Sequence, residues 1–416
     1  MGFEARGQAT GNRPLNQDST AKAAGRQSHA LQVPFDASML DQAMDAVGID
    51  VLLVTSKHNV QYLLGGYRYF FFERMDAIGQ SRYLPILVYP RGAPERAAYF
   101  ANRMECFEQE LRPLWIPEVH TLYWGTLDAM AAAVDYLKRI GLGSVRIGIE
   151  APFMPVDAYL ALRDALPNAS IHEALRPLEH LRAIKTPTEL DHMRIASDRV
   201  VDAMLAVFET HGPGSVKRDI VAALRREEQA RSLTFEYCLP TVGTSHNRAP
   251  ASDETWEIGQ PLSLDSGANY EGYIGDLCRM AVLGDPDAEL CELLGEILAV
   301  QDASVAKVRA GALGRDVQST GEETLRNSPH RDCMHFVAHG VGLVSHEVPH
   351  LTDAGPVPYP AEDATRPLKA GMVLSVETTM LHPRRGFVKL EDTVAVLDQG
   401  FEFLGGRGRC WNRGRV

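Results

Sequence analysis

The pattern of apolar and polar positions changes character once along this chain, near residue 183. Ordered patterning begins close to Pro34. Asp36 stands where a helix N-cap would, ahead of Met39, Leu40, Met44 and Val47 on one helical face. Short apolar runs at about 49–54, 84–89 and 145–150 read as buried strands, the second closed by Pro90-Arg91-Gly92. A long helix is predicted at about 127–140. Helices alternate with strands as far as about 172, which predicts one α/β domain over 35–182. Beyond it, Lys185-Thr186-Pro187 leads into an amphipathic helix at about 189–211, with Thr186 or Thr188 as N-cap and Gly212-Pro213-Gly214 as the stop. A second helix (216–231), strands, hairpins and two further helices (286–309 and 315–327) follow, so 183–405 reads as a second, α+β domain. Residues 1–34 are polar and rich in Gly, Ala, Arg and Gln. They are expected to form a mobile tail or an arm on a partner subunit, and residues 406–416 a frayed tail carrying Arg407, Arg409, Arg413 and Arg415.

Composition narrows the class. The 416 residues carry a net charge of −12, which argues against a general nucleic-acid binder, since phosphate affinity comes from Lys and Arg. No run approaches the 18 or so apolar residues that cross a membrane, and the N-terminus lacks the apolar core of a secretory signal. The six cysteines form no C-x-x-C pair. In a chain this long they read as reduced thiols, and the expected location is cytoplasmic, with no nucleic-acid or membrane partner.

The chemistry concentrates in three stretches. Residues 262–280 place Asp265 and Asp276 on either side of Asn269-Tyr270-Glu271-Gly272, which is good turn chemistry. A hairpin centred between Tyr270 and Glu271 sets residue i opposite 541 − i, so Asp265 would face Asp276. Two carboxylates that close resist ionising together unless a cation lies between them. Next, His335, His339, His346 and His350 fall within 16 residues, out of 14 histidines in the chain. Neutral imidazole ligates borderline metals such as Mn, Co, Fe and Zn. Finally, a strand ending on Glu377 and one carrying Lys389, Glu391 and Asp392 flank Pro383-Arg384-Arg385-Gly386, and a turn centred on Arg384 sets Glu377 opposite Glu391. Burying four carboxylates without a cation would cost several kcal/mol per ion. Four carboxylates with an imidazole suit hard or borderline metals, and a metal pair about 3.5–4 Å apart can orient a hydroxide for attack. Cys278 and Cys333 read as packing, and Asp392 as structural support.

At these residues the sequence resembles the "pita-bread" metallohydrolases: aminopeptidase P, prolidase, methionine aminopeptidase and creatinase. The resemblance runs through about 178–398 in order and rests on Leu181 to Leu190 at the domain entry, the two aspartates eleven apart, the His-x3-His-x6-His run, the strand into Glu377 and the Glu391-Asp392 pair. It implies an α/β N-terminal domain plus an α+β pita-bread catalytic domain. It also implies two divalent ions, manganese first, held by Asp265, Asp276, His339, Glu377 and Glu391. Glu377 would serve as general base, His346 and His335 would line the substrate site and steady the carbonyl oxygen, and the chain would form a homodimer. Two positions depart from the peptidases. Their extra substrate histidine belongs 17 to 21 residues before Asp265, where this chain has Thr244-Ser245-His246-Asn247-Arg248, so His246 is the candidate. Their Arg two residues before the last glutamate is here Lys389, a point charge in place of a bidentate fork.

The expected activity is that of a Xaa-Pro dipeptidase or aminopeptidase in which a hydroxide held by two metals attacks the amide carbonyl. The alternative is a non-peptidase hydrolase or lyase on the same scaffold, acting on a small zwitterion as creatinase, ectoine hydrolase or dimethylsulfoniopropionate lyase do. For that reading the aromatic stretch 62–83, with Tyr67, Tyr69, Phe70, Phe71 and Phe72 beside Arg68, Arg74 and Arg82, is either a cage for a cationic ligand or a core strand. A non-catalytic binding module fits least, because unpaired buried carboxylates would be a liability.

Overall fold

The computed structural model describes residues 32–73 and 82–416. The expected tail up to residue 31 and Arg74 lie outside the described residues. In the first half, α1 (Ala37–Ala46) starts on Asp36, whose carboxylate accepts from the Met39 amide at 2.9 Å. Six strands make one sheet: β1 (Val51–Val54), β2 (Ile86–Pro90), β3 (Ala98–Asn102), β4 (Glu118–Tyr123), β5 (Arg146–Ile149) and β6 (Ser170–Glu173), in the order β4-β3-β2-β1-β5-β6. The central strand β1 is buried at every position because both sheet faces are covered. Leu52 and Val54 pack toward α1, the aromatic stretch and α6 (Leu175–Arg182). Val51 and Leu53 pack toward α4 (Thr126–Arg139) and α5 (Val156–Ala165). Among the described residues this half also has the short α-helices α2 (Lys57–Leu63) and α3 (Cys106–Leu111). Tyr67, Tyr69, Phe72 and Tyr83 are core residues, and the hydroxyls of Tyr67, Tyr83 and Tyr99 all donate to buried Glu105. Tyr67, Tyr69, Phe72 and Tyr83 are therefore packing, whereas Phe70 is half exposed.

The second half opens with α7 (Pro187–Thr210), closed at its start by a reciprocal capping box between Thr186 and Glu189. It continues through α8 (Lys217–Ala230), α9 (Ala288–Val305) and α10 (Gly314–Arg326). The short strands β7 (Ser215–Val216) and β10 (Thr255–Trp256) pair with each other. The remaining strands form a nine-stranded sheet: β8 (Thr234–Cys238), β9 (Thr241–Val242), β11 (Pro261–Tyr270), β12 (Tyr273–Leu283), β13 (Met334–Gly340), β14 (Val373–His382), β15 (Gly386–Val396), β16 (Phe401–Leu404) and β17 (Asn412–Gly414). Its main path runs β13-β14-β15-β12-β11-β8, with β16 on β15, β17 on β12 and β9 on β11.

Three details differ from the sequence expectations or refine them. The β11–β12 turn is Glu271-Gly272, both at positive φ (52° and 89°), a two-residue turn of the kind that matches strand twist. Glycine at the second position accepts that conformation without strain. Asp265 therefore faces Cys278, and Asp276 faces Gly267. The shift from the expected register is two residues, so both aspartates stay on the same face of the sheet. The β14–β15 hairpin is centred on Arg384 and sets Glu377 opposite Glu391, as the sequence implied. The C-terminal segment is not frayed: β17 pairs in parallel with β12, Arg409 donates to Asp392 (2.9 Å) and Asp302 (2.7 Å), and Arg407 pairs with Asp202 (2.5 Å). Pairing with β12 and ion pairs to buried Asp392 and to the more exposed Asp202 and Asp302 hold a segment that charge alone would have left in solvent.

A buried ion network joins the two halves. Glu347, on the loop after β13, accepts from Lys185 Nζ and Arg182 Nη2, both at 2.9 Å, and all three are buried. Arg182 also reaches Asn59 of α2, whose amide in turn donates to buried Glu150 at 2.5 Å. Burial alone would raise the Glu347 carboxyl, but the two cations outweigh it and hold it below the usual glutamate range. Removing one member leaves the others charged and unpaired, which costs about 3–5 kcal/mol. Glu347→Ala should therefore lower stability by about that amount, read from denaturant unfolding, whereas a loss under about 1 kcal/mol would show that water replaces the carboxylate.

Candidate metal centre

Strand pairing alone assembles the site. One row of facing residues crosses the sheet through Val337, Glu377, Glu391, Cys278 and Asp265. A neighbouring row carries His339, Ser375 and Thr393, and the Thr393 hydroxyl donates to the Asp276 carbonyl at 3.0 Å. Glu391 lies at the centre, paired with Glu377 on one side and Cys278 on the other. Asp276, His339 and Glu391 each offer a ligand atom, all within 4.8 Å of one another and all buried.

These residues fit a divalent ion. His339 is fully buried, yet its Nε2 has no hydrogen-bond partner. A buried polar atom without a partner is costly, and a ligand nitrogen aimed at an ion is the ordinary resolution. The same atom looks toward Glu377 Oε1 at 3.8 Å and Glu391 Oε1 at 3.9 Å. Burial first, then Glu391 and Asp265, push the Asp276 carboxyl well above the usual aspartate range. A cation at this point would reverse that shift.

Surrounding groups hold the carboxylates in place. Ser375 donates to Glu391 Oε1 at 2.7 Å, and the Tyr237 hydroxyl donates to Asp276 Oδ1 at 2.5 Å. Room for that phenol comes from Gly267, opposite Asp276: a Cβ there would fall 2.3 Å from the Tyr237 ring. Tyr237 escaped the sequence reading because nothing in its local segment marks it; only the β8–β11 pairing brings it to the cluster.

The other carboxylates are engaged by cations. Lys389 Nζ lies 2.7 Å from Asp265 Oδ2, 2.6 Å from Glu377 Oε2 and 2.8 Å from Glu391 Oε2. Burial alone would lower its pKa, but those three carboxylates hold it well above the usual lysine range. Arg248 Nη2 also donates to Asp265 Oδ2, and its guanidinium lies 5.4 Å from the Phe387 ring centre. Lys389, expected as a substrate contact, is thus a buried partner of Asp265, Glu377 and Glu391.

The histidines divide. His346 stacks on His339, ring centres 3.7 Å apart and 16° from parallel, with Nδ1 3.3 Å from the Tyr359 hydroxyl. Burial, then the neighbouring His339 and Lys389, lowers it to about 3, so it is neutral at ordinary pH. His350 stacks on Tyr359 at 3.9 Å and is bonded to Arg176. His335 is on the same face as His339 but exposed, in the outer row with Thr379 and Lys389. It lies four residues along the strand from His339, about 13 Å at strand rise, and so stands at the rim. His246 does not reach the cluster: its Nε2 pairs with the His382 carbonyl at 3.2 Å, at the far end of the β14–β15 hairpin. Of the window before Asp265, Arg248 is the side chain that arrives, because the longer guanidinium spans the gap and Asp265 attracts it. Asp392 points to the opposite face, between Arg279 (2.9 Å) and Arg409. Cys278 is buried in the floor of the site, its thiol 3.3 Å from the Ser263 hydroxyl.

An α/β domain leading into a β-rich domain with this carboxylate and histidine cluster is the two-domain architecture of the creatinase and prolidase hydrolases, with the pita-bread fold in its second half. Metallopeptidase family M24 matches residues 191–398, and the creatinase/prolidase N-terminal domain matches 38–184. The chain belongs to metallopeptidase family M24 and is a hydrolase of a family that implies divalent metal use. It is 24% identical to the uncharacterized peptidase YqhT of Bacillus subtilis over 364 residues, covering 85% of this chain and 93% of that one. It is 23% identical to the Xaa-Pro dipeptidase of Pyrococcus horikoshii over 374 residues, covering 87% and 94%. The solved Xaa-Pro dipeptidase of Bacillus anthracis superposes with a TM-score of 0.75 at 21% identity, over 91% of this chain and 98% of the other, a likeness of fold.

Supporting hydrogen bonds of this kind are worth about 10–100-fold in metal affinity. Tyr237→Phe should weaken Mn(II) binding about tenfold in a chelator competition, and Gly267→Ala, which displaces the ring, should do so at least as strongly. Unchanged affinity in both would mean that the phenol plays no part in orienting Asp276.

Proposed function

We propose that this chain is a metal-dependent peptidase that cleaves short Xaa-Pro peptides. The observation that carries the reading is the unpartnered His339 Nε2 beside Asp276 and Glu391, in a family of metallopeptidases. The name of the Pyrococcus horikoshii relative, Xaa-Pro dipeptidase, supplies the substrate class. Asp276, His339, Glu377 and Glu391 are the residues that would hold a divalent ion, with Asp265 beside them as the fifth residue that the resemblance implies. Manganese suits four carboxylates and one imidazole, with cobalt, iron and zinc compatible. Bound metal supplies Lewis-acid polarisation of the amide carbonyl and an activated water.

The protein's own groups do the rest. Glu377 is the most solvent-accessible of the four carboxylates facing the cluster after its own alternation in β14, its side chain 15% exposed against 3% for Asp265 and Glu391. It is the carboxylate a water can reach, which suits it to take a proton as general base. In the tautomer in which Tyr359 donates to His346 Nδ1, Nε2 carries the proton and can donate to the carbonyl oxygen of the scissile bond. His335 at the rim is placed to meet the substrate farther out.

A second reading has an observation of its own. Arg248 and Lys389, bound to Asp265, stand where substrate-side residues of the peptidases were expected. Arg248, whose side chain is 38% exposed, puts a positive charge beside the cluster, which favours a small acid or zwitterion, as a C–N hydrolase or lyase would take. We place the protein in the cytoplasm, a reducing compartment that suits six free cysteines, and infer a homodimer formed through the first half. There Phe107 and Leu111 of α3, Leu122 of the edge strand β4 and Trp124 expose apolar surface. Light scattering should give twice the chain mass, and a monomer would remove the dimer reading.

Metal-stripped protein reconstituted with Mn(II) should cleave Xaa-Pro dipeptides or longer Xaa-Pro peptides. Asp276→Ala should lose both metal and activity, and His346→Ala should keep the metal while kcat falls about 10²–10⁴-fold. Metal binding with turnover of creatine or another small zwitterion, and of no peptide, would transfer the assignment to the second reading.

A further inference from the structure

We propose that this chain holds one divalent ion, not two, and that the Lys389 ammonium occupies the place of the second; this rests on the metallopeptidase reading above. The pocket has two lobes that share Glu377 and Glu391. In one, Lys389 Nζ takes Asp265 Oδ2, Glu377 Oε2 and Glu391 Oε2 at 2.6–2.8 Å. In the other, Glu377 Oε1 and Glu391 Oε1 face His339 Nε2, with Asp276 alongside. Each shared glutamate thus gives one oxygen to the ammonium and turns the other toward the imidazole, the way a bridging carboxylate divides itself between two cations.

Backbone geometry keeps Lys389 there. It is two residues before Glu391 on β15, so both side chains share a face, and its partner Thr379 sets it one row from Glu377. Its side chain is 5% exposed. Three carboxylate oxygens lie within 2.8 Å of the ammonium, and Asp265 Oδ2 accepts a hydrogen bond from it. A metal would need those same oxygens at about 2.0–2.2 Å, so metal and ammonium exclude each other in this lobe.

Charge points the same way. Asp265, Asp276, Glu377 and Glu391 bring four negative charges, and Lys389 and Arg248 return two positive ones, both on Asp265. One divalent ion neutralises the remainder. Two would leave an uncompensated double positive charge in a buried pocket, at several kcal/mol per ion.

The test is the number of ions bound. Stripped full-length protein would be dialysed to equilibrium against Mn(II), the bound metal counted by mass spectrometry and the frozen sample examined by electron paramagnetic resonance. The expected result for the wild type is one ion per chain with the six-line spectrum of isolated Mn(II). For Lys389→Met, of similar length without the charge, it is two ions per chain with the multiline spectrum of a coupled pair. Two ions in the wild type would overturn the inference and leave the peptidase reading standing. One ion in both proteins would overturn the role given to Lys389. No bound ion in the wild type would overturn the metallopeptidase reading itself.

Discussion

Four carboxylates converge on one buried stretch of sheet, and the catalytic half of the molecule is arranged around the repulsion among them. Asp265, Glu377 and Glu391 stand in a single row because three strand pairings put them there. Like charges this close in a low-dielectric setting are tolerable only with cations among them. Lys389 and Arg248 meet that need on the Asp265 side. On the His339 side the unpartnered imidazole nitrogen and the Asp276 carboxyl still require something positive. The metal chemistry of the family and the physical demand of the pocket coincide at that point.

The same constraint extends beyond the ligands. Ser375 and Tyr237 fix the lone pairs of Glu391 and Asp276, and Gly267 stays small so that the phenol can lie flat against its strand. His346 packs on His339 and precedes Glu347, whose two cations tie the loop to α2 and α6 in the first half. The position of a histidine suited to polarise a carbonyl is thereby linked to the packing of the other domain. A fold does not fix a substrate. Here Asp276, His339, Glu377 and Glu391 cluster, while Arg248 and Lys389 bring positive charge to Asp265.

Much of this was legible in the sequence. Helix starts at Asp36 and Thr186 follow from local hydrogen bonding of a cap to its first turn, which a few neighbouring residues suffice to specify. The pairing of Glu377 with Glu391 follows from a short turn and strict alternation. The β11–β12 register was displaced by two residues because several of its turn residues are compatible with a reversal, and only the positive φ at Glu271 and Gly272 selects one. Alternation of period two nevertheless kept both aspartates on the proper face.

The sequence by itself carried the two-domain order and the facing pair Glu377 and Glu391, because periodicity and short turns are local, and its resemblance to the pita-bread hydrolases carried the family and the set Asp265, Asp276, His339, Glu377 and Glu391. Only the tertiary structure decided which distant side chains meet that cluster. It brought Arg248 to Asp265 and left His246 on the His382 carbonyl, drew Lys389 in among the carboxylates, delivered Tyr237 from another strand, and docked the arginine-rich C-terminus on β12 and Asp392. Apart from those of Lys389, these contacts span the chain, with 17 positions between Arg248 and Asp265 and 136 between His246 and His382. Side-chain reach and charge across a folded sheet govern them, and neither is written in the spacing of neighbours along the chain.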